Sequence, residues 1–164
     1  IPYLFRCVMS SIYALIKFEE GWRSKPYLCT EKYPTVGFGF RIGPQGADIK
    51  LYQFTLPVRA GEAWLDTILS GLETDMRRDP KLAMAMQACE RDPARMAVLQ
   101  SMAYQMGVKG LAAFNNTLQA VIERRWNDAA AGMLNSRWAR QTPERAQRHA
   151  QQMRTGLWAP EYGG

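Results

Sequence analysis

Apolar residues at Val8, Ile12, Leu15 and Ile16 recur at the spacing of one helix face. They predict a first helix from about Cys7 to Glu19. The rhythm then changes. From Glu20 to about Thr55 the chain is rich in Gly, Pro, Tyr and Thr. Within it, Tyr33-Pro34-Thr35-Val36-Gly37-Phe38-Gly39-Phe40 alternates small and large side chains. That run predicts a short β-hairpin region with tight glycine turns. From Leu56 the period is helical again. Pro57 suits the first turn of a long helix, with Leu65, Ile68, Leu69, Leu72 and Met76 as its buried stripe. Asp79-Pro80 ends or restarts that helix. Asp92-Pro93 reads as an N-cap followed by proline at the first helical position, opening a helix that runs to Met106 and stops at Gly107. Shorter helices are expected around 111–113, 116–124 and 127–135. Thr142-Pro143-Glu144-Arg145 opens a last one, which stops at Gly156.

The expected fold class is therefore α+β, with a small N-terminal β-hairpin lobe, a larger helical C-terminal lobe and a cleft between them. A chain of 164 residues fits one domain. Its parts are residues 16–56 as the hairpin lobe, 57–158 as the helical lobe, and 1–15 as an N-terminal helix on the helical lobe. No internal repeat stands out. The segment 1–16 is apolar, but Arg6 interrupts it and it is short for a membrane span. The first residue is Ile1 and not Met, which fits a processed chain or a piece of a longer protein.

Composition changes this picture in two ways. The net charge of +6 attracts polyanions: nucleic acid, anionic lipid or the bacterial wall. Much of it comes from Arg124, Arg125, Arg137, Arg140, Arg145, Arg148 and Arg154, and most of these are expected on a solvated helix face. Charge alone does not choose among the partners. The three cysteines, Cys7, Cys29 and Cys89, form no CxxC pair, and His149 is the only histidine. A zinc site, a disulfide framework and a histidine-rich metal centre are disfavoured. No metal and no cofactor are expected. Gly37, Gly39 and Gly43 lack the dinucleotide fingerprint and read as hairpin glycines.

Cleaving a glycosidic bond needs a carboxylic acid to protonate the leaving oxygen, and a second group to place or activate water or to attack directly. Such an acid usually sits in a partly apolar site. Glu20 suits this role at the end of the first helix, before Gly21 and among Phe18, Trp22 and Tyr27. Cys29 and Thr35 follow on the predicted hairpin. Taken singly, each residue is ordinary: a glutamate at a helix end, a small buried thiol, a strand threonine.

Their spacing carries more. Glu20-x8-Cys29-x5-Thr35 resembles the Glu-x8-Asp/Cys-x5-Thr signature of the phage-type lysozymes, glycoside hydrolase family 24. Glu20-Gly21, Pro26-Tyr27 and Thr35-Val36-Gly37-Phe38-Gly39 agree with it. So do Gln105-Met106-Gly107, Phe114-Asn115-Asn116-Thr117-Leu118, Arg125-Trp126, Ser136-Arg137-Trp138, Gln141-Thr142-Pro143-Glu144-Arg145-Ala146 and Arg154-Thr155-Gly156-Leu157-Trp158, in the order of the family's T-even branch. The resemblance covers roughly Ile16 to Trp158. It implies a muramidase that hydrolyses peptidoglycan between N-acetylmuramic acid and N-acetylglucosamine. Glu20 is then the general acid, and Thr35 and Cys29 position or activate the water. Arg145 orients Glu20, and Tyr104, Gln105 and Thr117 line the cleft and contact glycan.

This chain also departs from that branch. Cys29 stands where many members carry Asp, Phe40 where the T-even branch has His, and Arg41 and Gly132 at cleft positions that hold other side chains there. The span from Phe40 to the long helix is shorter.

The implied partner is bacterial peptidoglycan rather than nucleic acid. A monomer is expected, acting on the wall from the periplasmic side, with further domains or an immunity or inhibitor protein as additional partners. Endolysin, tail lysozyme and antibacterial toxin domain remain open roles. A lysozyme-fold module that binds wall glycan without cutting it is the alternative function. DNA binding by the basic helices is a third, which predicts steep salt dependence. A disulfide between Cys7 and Cys29 is a further expectation.

Overall fold

The computed structural model describes residues 11–163. In chain order, helix α1 spans Ile12–Glu20, and strands β1, β2 and β3 span Arg23–Leu28, Pro34–Gly37 and Phe40–Arg41. A 3-10 turn, Ile49–Leu51, leads to α2, Val58–Arg78. Then come α3 (Pro80–Ala88), α4 (Pro93–Ala112), α5 (Asn115–Ile122), α6 (Trp126–Leu134), α7 (Arg137–Gln141) and α8 (Pro143–Thr155). A second 3-10 turn covers Pro160–Tyr162. The fold is α+β and lysozyme-like, with a small antiparallel sheet in the order β1-β2-β3. It divides into two compact units, residues 16–68 and the 69–164 unit, which among the described residues also takes in 11–15. Helix α2 begins in the first and ends in the second.

The sheet belongs to the 16–68 unit. The hairpin expectation captured β2 and β3 but not β1, whose Arg23-Ser24-Lys25-Pro26 lacks an apolar alternation. Strand β1 pairs Tyr27 with Thr35 and Leu28 with Pro34, and its register shifts between Arg23 and Tyr27. Pro26 lies in that irregularity, where a residue without an N–H disturbs the ladder least. Val36 faces Phe40 across the β2–β3 turn. Gly37 and Gly39 supply the positive φ values that the turn requires, 68° and 76°. The apolar side of the unit is aromatic: Trp22 packs on Phe38 at 4.8 Å and Phe40 on Trp64 at 4.6 Å between ring centroids. The indole of Trp22 lies so close over Gly61 of α2 that a β-carbon there would collide with it. Leu56 N–H donates to Ser24 O at 2.7 Å and ties the connector to β1.

The 69–164 unit is helical, and its core gathers Met76, Leu82, Met86, Val98, Leu99, Met102, Leu111, Leu118, Met133 and Met153. Its helix starts follow the caps read from the chain. Asp79 accepts from the N–H groups of Lys81 and Leu82 at 3.0 Å, and Asp92 from that of Arg95 at 3.3 Å. Each such cap is worth about 1 kcal/mol. Gly156 ends α8 in the left-handed conformation, φ 71°.

In the helical unit two details differ from expectation. Gly107 breaks α4 with φ 82° and ψ 160°, but the helix resumes at once and absorbs the separate helix expected near 111–113. Helix α7 was not foreseen. It is only five residues long and rests on Ser136, whose Oγ accepts from Ala139 N–H at 3.1 Å. Of the expected first helix, residues 7–10 lie outside the described residues, as does the Cys7 half of the expected disulfide. Among the described residues no helix is long and apolar enough to cross a membrane.

Candidate active site

Glu20 is the last residue of α1. Gly21 N–H closes the helix on Lys17 O at 3.1 Å and takes φ 68°, which turns the chain sharply toward β1. The Glu20 side chain is thereby left at a helix end, half-buried. Its carboxylate lies directly over Gly39: a β-carbon on Gly39 would stand 2.7 Å from Glu20 Oε2. The glycine of the β2–β3 turn therefore serves two needs, a positive φ and a bare surface for a carboxylate.

Thr35 is 2% exposed in the middle of β2. Its Oγ1 donates to Tyr33 O at 2.8 Å and also lies within hydrogen-bonding reach of the Cys29 sulfur. One hydroxyl proton cannot serve both at once. With the thiol neutral, S–H can donate to Oγ1 while Oγ1 donates to Tyr33. With the thiolate, the hydroxyl proton turns to sulfur. Cys29 sits at the end of β1, where its own N–H donates to Tyr33 O at 3.0 Å. Burial pushes its thiol up, but that effect is outweighed. Hydrogen bonds from the backbone at Tyr33 and Glu31, the Thr35 hydroxyl and the positive charge of Arg41 together hold Cys29 below the usual thiol value. Arg41 stacks at 4.0 Å over the Tyr33 ring and is ion-paired with Glu31.

Tyr27 joins the two halves of this arrangement. It is the register partner of Thr35. Burial raises its phenol, Arg23 opposes that, and the negative charges of Glu20 and Cys29 both raise it further. The Arg23 guanidinium lies 4.2 Å over its ring. The sequence placed Tyr27 only among the apolar surroundings of Glu20. Its strand register with Thr35 shows it as part of the cluster. Glu20, Cys29 and Thr35, predicted together, are thus grouped within the 16–68 unit around Tyr27 and Gly39.

The other four predicted residues belong to the 69–164 unit. Gln105 accepts from Trp138 Nε1 at 2.8 Å, which fixes its amide. Thr117 is buried on α5, and its hydroxyl fills the space where Gly132 of α6 would carry a β-carbon. Gly132 is thus a packing glycine as well as an absent side chain. Tyr104 is half-buried on α4. Arg145 is buried on α8, and its Nη2 donates to Ser101 Oγ at 2.9 Å. Trp138, read from sequence as core, is core and also anchors Gln105. Ser101, Tyr162 and His149 were not singled out as site residues. They lie far apart in sequence, and only the packing of α4, α8 and the last turn unites them.

A pocket of about 550 Å³ beside α6 and α8, bordered by Leu134, Arg148, Trp158 and Pro160, contains none of the predicted residues. Among the described residues no group of three or more His, Cys, Asp or Glu could hold a metal ion.

A carboxyl, a thiol and a hydroxyl thus stand in one small unit. The sequence pattern of the family described as "Phage lysozyme" matches residues 17–155. "Probable T4-type lysozyme 1" of Dictyostelium discoideum is 28% identical over 165 residues, covering 91% of this chain and 96% of that protein. "Pre-baseplate central spike protein Gp5" of Enterobacteria phage T4 is 30% identical over 162 residues, 89% of this chain and 28% of the spike protein. "Peptidoglycan hydrolase gp36" of Pseudomonas phage phiKMV is 29% identical over 134 residues, 82% of this chain and 14% of that protein. The chain belongs to the phage lysozyme family and is a glycoside hydrolase of bacterial peptidoglycan.

Proposed function

We propose that the protein hydrolyses the β-1,4 bond between N-acetylmuramic acid and N-acetylglucosamine, with Glu20 as general acid. The observation that carries this reading is the seating of the Glu20 carboxylate over the bare backbone of Gly39, beside Tyr27, Cys29 and Thr35. Glu20 in its acid form donates its proton to the glycosidic oxygen as the bond to C1 breaks. Water adds to C1 and loses a proton. Thr35 and Cys29 orient that water, and the lowered thiol leaves more of Cys29 as thiolate, free to accept the water's proton, than in an ordinary cysteine. Tyr104, Gln105 and Thr117 bind glycan, and Arg145 serves the orientation of the acid. These four roles rest on the family resemblance, supported by the fixed amide of Gln105 and the held guanidinium of Arg145. The protein acts as a monomer on the wall from the periplasmic side.

The test is analysis of the cleavage products. Digested peptidoglycan treated with borohydride should yield reduced muramic acid and no reduced glucosamine. Proton NMR during the digestion should show the inverted α-anomer first, as expected for direct attack by water. A β-anomer would instead mean that the Cys29 sulfur attacks C1 and forms a covalent intermediate. Reduced glucosamine would place the cut at the wrong bond. A glycan-binding module would release no new reducing ends.

A further inference from the structure

The 69–164 unit buries one group that the reaction above does not use. His149 has no exposed surface. Its Nε2 lies 2.6 Å from Ser101 Oγ and its Nδ1 3.2 Å from the Tyr162 hydroxyl. Ser101 Oγ in turn accepts from Arg145 Nη2 at 2.9 Å. Ser101 and Tyr162 are likewise fully buried. The ring of His149 also packs at 6.0 Å from that of Trp138, the residue that holds the Gln105 amide. His149 thus stands behind two of the residues assigned to the site, Arg145 through Ser101 and Gln105 through Trp138.

We infer that Ser101, His149 and Tyr162 form a buried, one-directional hydrogen-bond chain that locks the Arg145 guanidinium in place, and that His149 is a positioning residue for the reaction. The direction follows from charge. The guanidinium donates to Ser101 Oγ, so the serine oxygen faces a cation and its hydroxyl proton is driven to the far side. There Nε2 accepts it at a distance suited to O–H···N. Nδ1 must then carry the ring proton and donate to the Tyr162 oxygen. Each member donates in turn, and the histidine is neutral. A second positive charge on the ring would face Arg145 and Arg148 of α8. Ser101 of α4, Trp138 of α7 and Tyr162 of the last turn offer no negative charge to offset it. Burial and those two arginines hold His149 well below the usual histidine value, in keeping with a neutral link. A packed apolar side chain would fill the same space, but it would leave Ser101 and Tyr162 without the ring as partner.

This inference rests on the proposed role of Arg145, and the experiment separates the two. Initial rates on soluble glycan oligomers from peptidoglycan would be measured for Ser101→Ala, His149→Phe, His149→Gln, Arg145→Ala and the double variant Ser101→Ala/Arg145→Ala. Arg145→Ala should lower kcat strongly. Ser101→Ala and His149→Phe should each lower kcat by about tenfold with KM little changed, the mark of lost geometry rather than lost binding. His149→Gln, which keeps an acceptor and a donor, should recover part of the loss, and the double variant should be no worse than Arg145→Ala alone. If Arg145→Ala is impaired while Ser101→Ala and His149→Phe match the parent, the chain is overturned and the role of Arg145 stands. If Arg145→Ala matches the parent, that role fails, and the positioning inference with it. A measurement on the intact parent covers variants that do not fold. The ¹⁵N spectrum of His149 should show a protonated Nδ1 and a bare Nε2 that stay unchanged from pH 8 down to pH 6. An Nε2–H tautomer, or titration near the ordinary histidine value, overturns the proposal.

Discussion

The two units hold their polar groups by opposite means. In the 16–68 unit, Glu20, Cys29 and Tyr27 are only partly covered, and backbone geometry sets their places: Gly21 ends α1, Gly39 bares the turn, and the β1–β2 register pairs Tyr27 with Thr35. In the 69–164 unit, Arg145, Ser101 and His149 are buried, and side chains hold one another. The two cysteines show the same contrast. Cys29 is held below the usual thiol value by hydrogen bonds and Arg41, whereas burial pushes Cys89 up to about 12. In the first unit the chain itself positions partly exposed groups, and the thiol stays reactive. In the second, the interlocked side chains are shielded from solvent.

Substitution at the turn strains the first half of this comparison most. Gly39→Ala combines φ 76° with a β-carbon set against Glu20 Oε2. We expect kcat/KM to fall by about 100-fold, since a misplacement near 1 Å at reacting groups costs that much. Gly46→Ala is the control. Its φ is 81°, but a β-carbon there meets nothing within 4 Å. It should cost about 1 kcal/mol of stability and leave the rate intact. Equal losses in the two variants would mean that backbone strain, and not the seat of Glu20, matters at Gly39.

The cysteine contrast gives a smaller effect. Cys29→Ala should lower the rate by about tenfold, and Cys29→Asp should stay active. Iodoacetamide should modify Cys29 far faster than Cys89, and the modification should inhibit the parent but not Cys29→Asp. Mass spectrometry of the labelled protein reads the site. Comparable labelling of Cys89 would break the contrast. A Cys29→Ala enzyme as fast as the parent would leave Glu20 and Thr35 to suffice.

The smallest effect concerns stability. His149 is depressed in the folded protein, so the unfolded chain takes up the proton first as pH falls. Stability conferred by the neutral ring is complete above about pH 6.5 and is lost as pH falls from there through the folded value, with a limiting slope of about 1.4 kcal/mol per pH unit. Urea unfolding between pH 7.5 and 4.5 should show that decline, and His149→Gln should flatten it. An equal slope in both proteins would assign the decline to other groups.

Local chemistry made part of this legible in the sequence. Asp79-Pro80, Asp92-Pro93, Pro143 and Gly156 each mark a helix end within a few residues, and each mark holds in the fold. Glu20, Cys29 and Thr35 stood out only because their spacing resembles the signature of the phage-type lysozymes; taken singly each is ordinary. Strand β1 did not, because a polar strand with a proline gives no period-two signal. Nor did α7, which is too short for a helical repeat. That α4 continues past Gly107 to the buried Leu111 is not something a glycine in the sequence reveals. The Ser101–His149–Tyr162 chain spans 48 residues in one link and 13 in the other. No local pattern encodes it, and a lone histidine in the sequence argued only against metal sites. That Tyr27, expected only among the surroundings of Glu20, also pairs with Thr35 likewise emerges only from strand register.

Every step proposed for the reaction depends on Glu20 giving its proton to the leaving oxygen. The most direct test compares the parent with Glu20→Gln on purified peptidoglycan, by loss of turbidity and by release of reducing ends. The amide keeps the size and the seat over Gly39 but has no acidic proton to give. The rate should drop roughly 10²–10⁴-fold with circular dichroism and melting temperature unchanged. A folded Glu20→Gln protein that clears peptidoglycan at near the parent rate would contradict it.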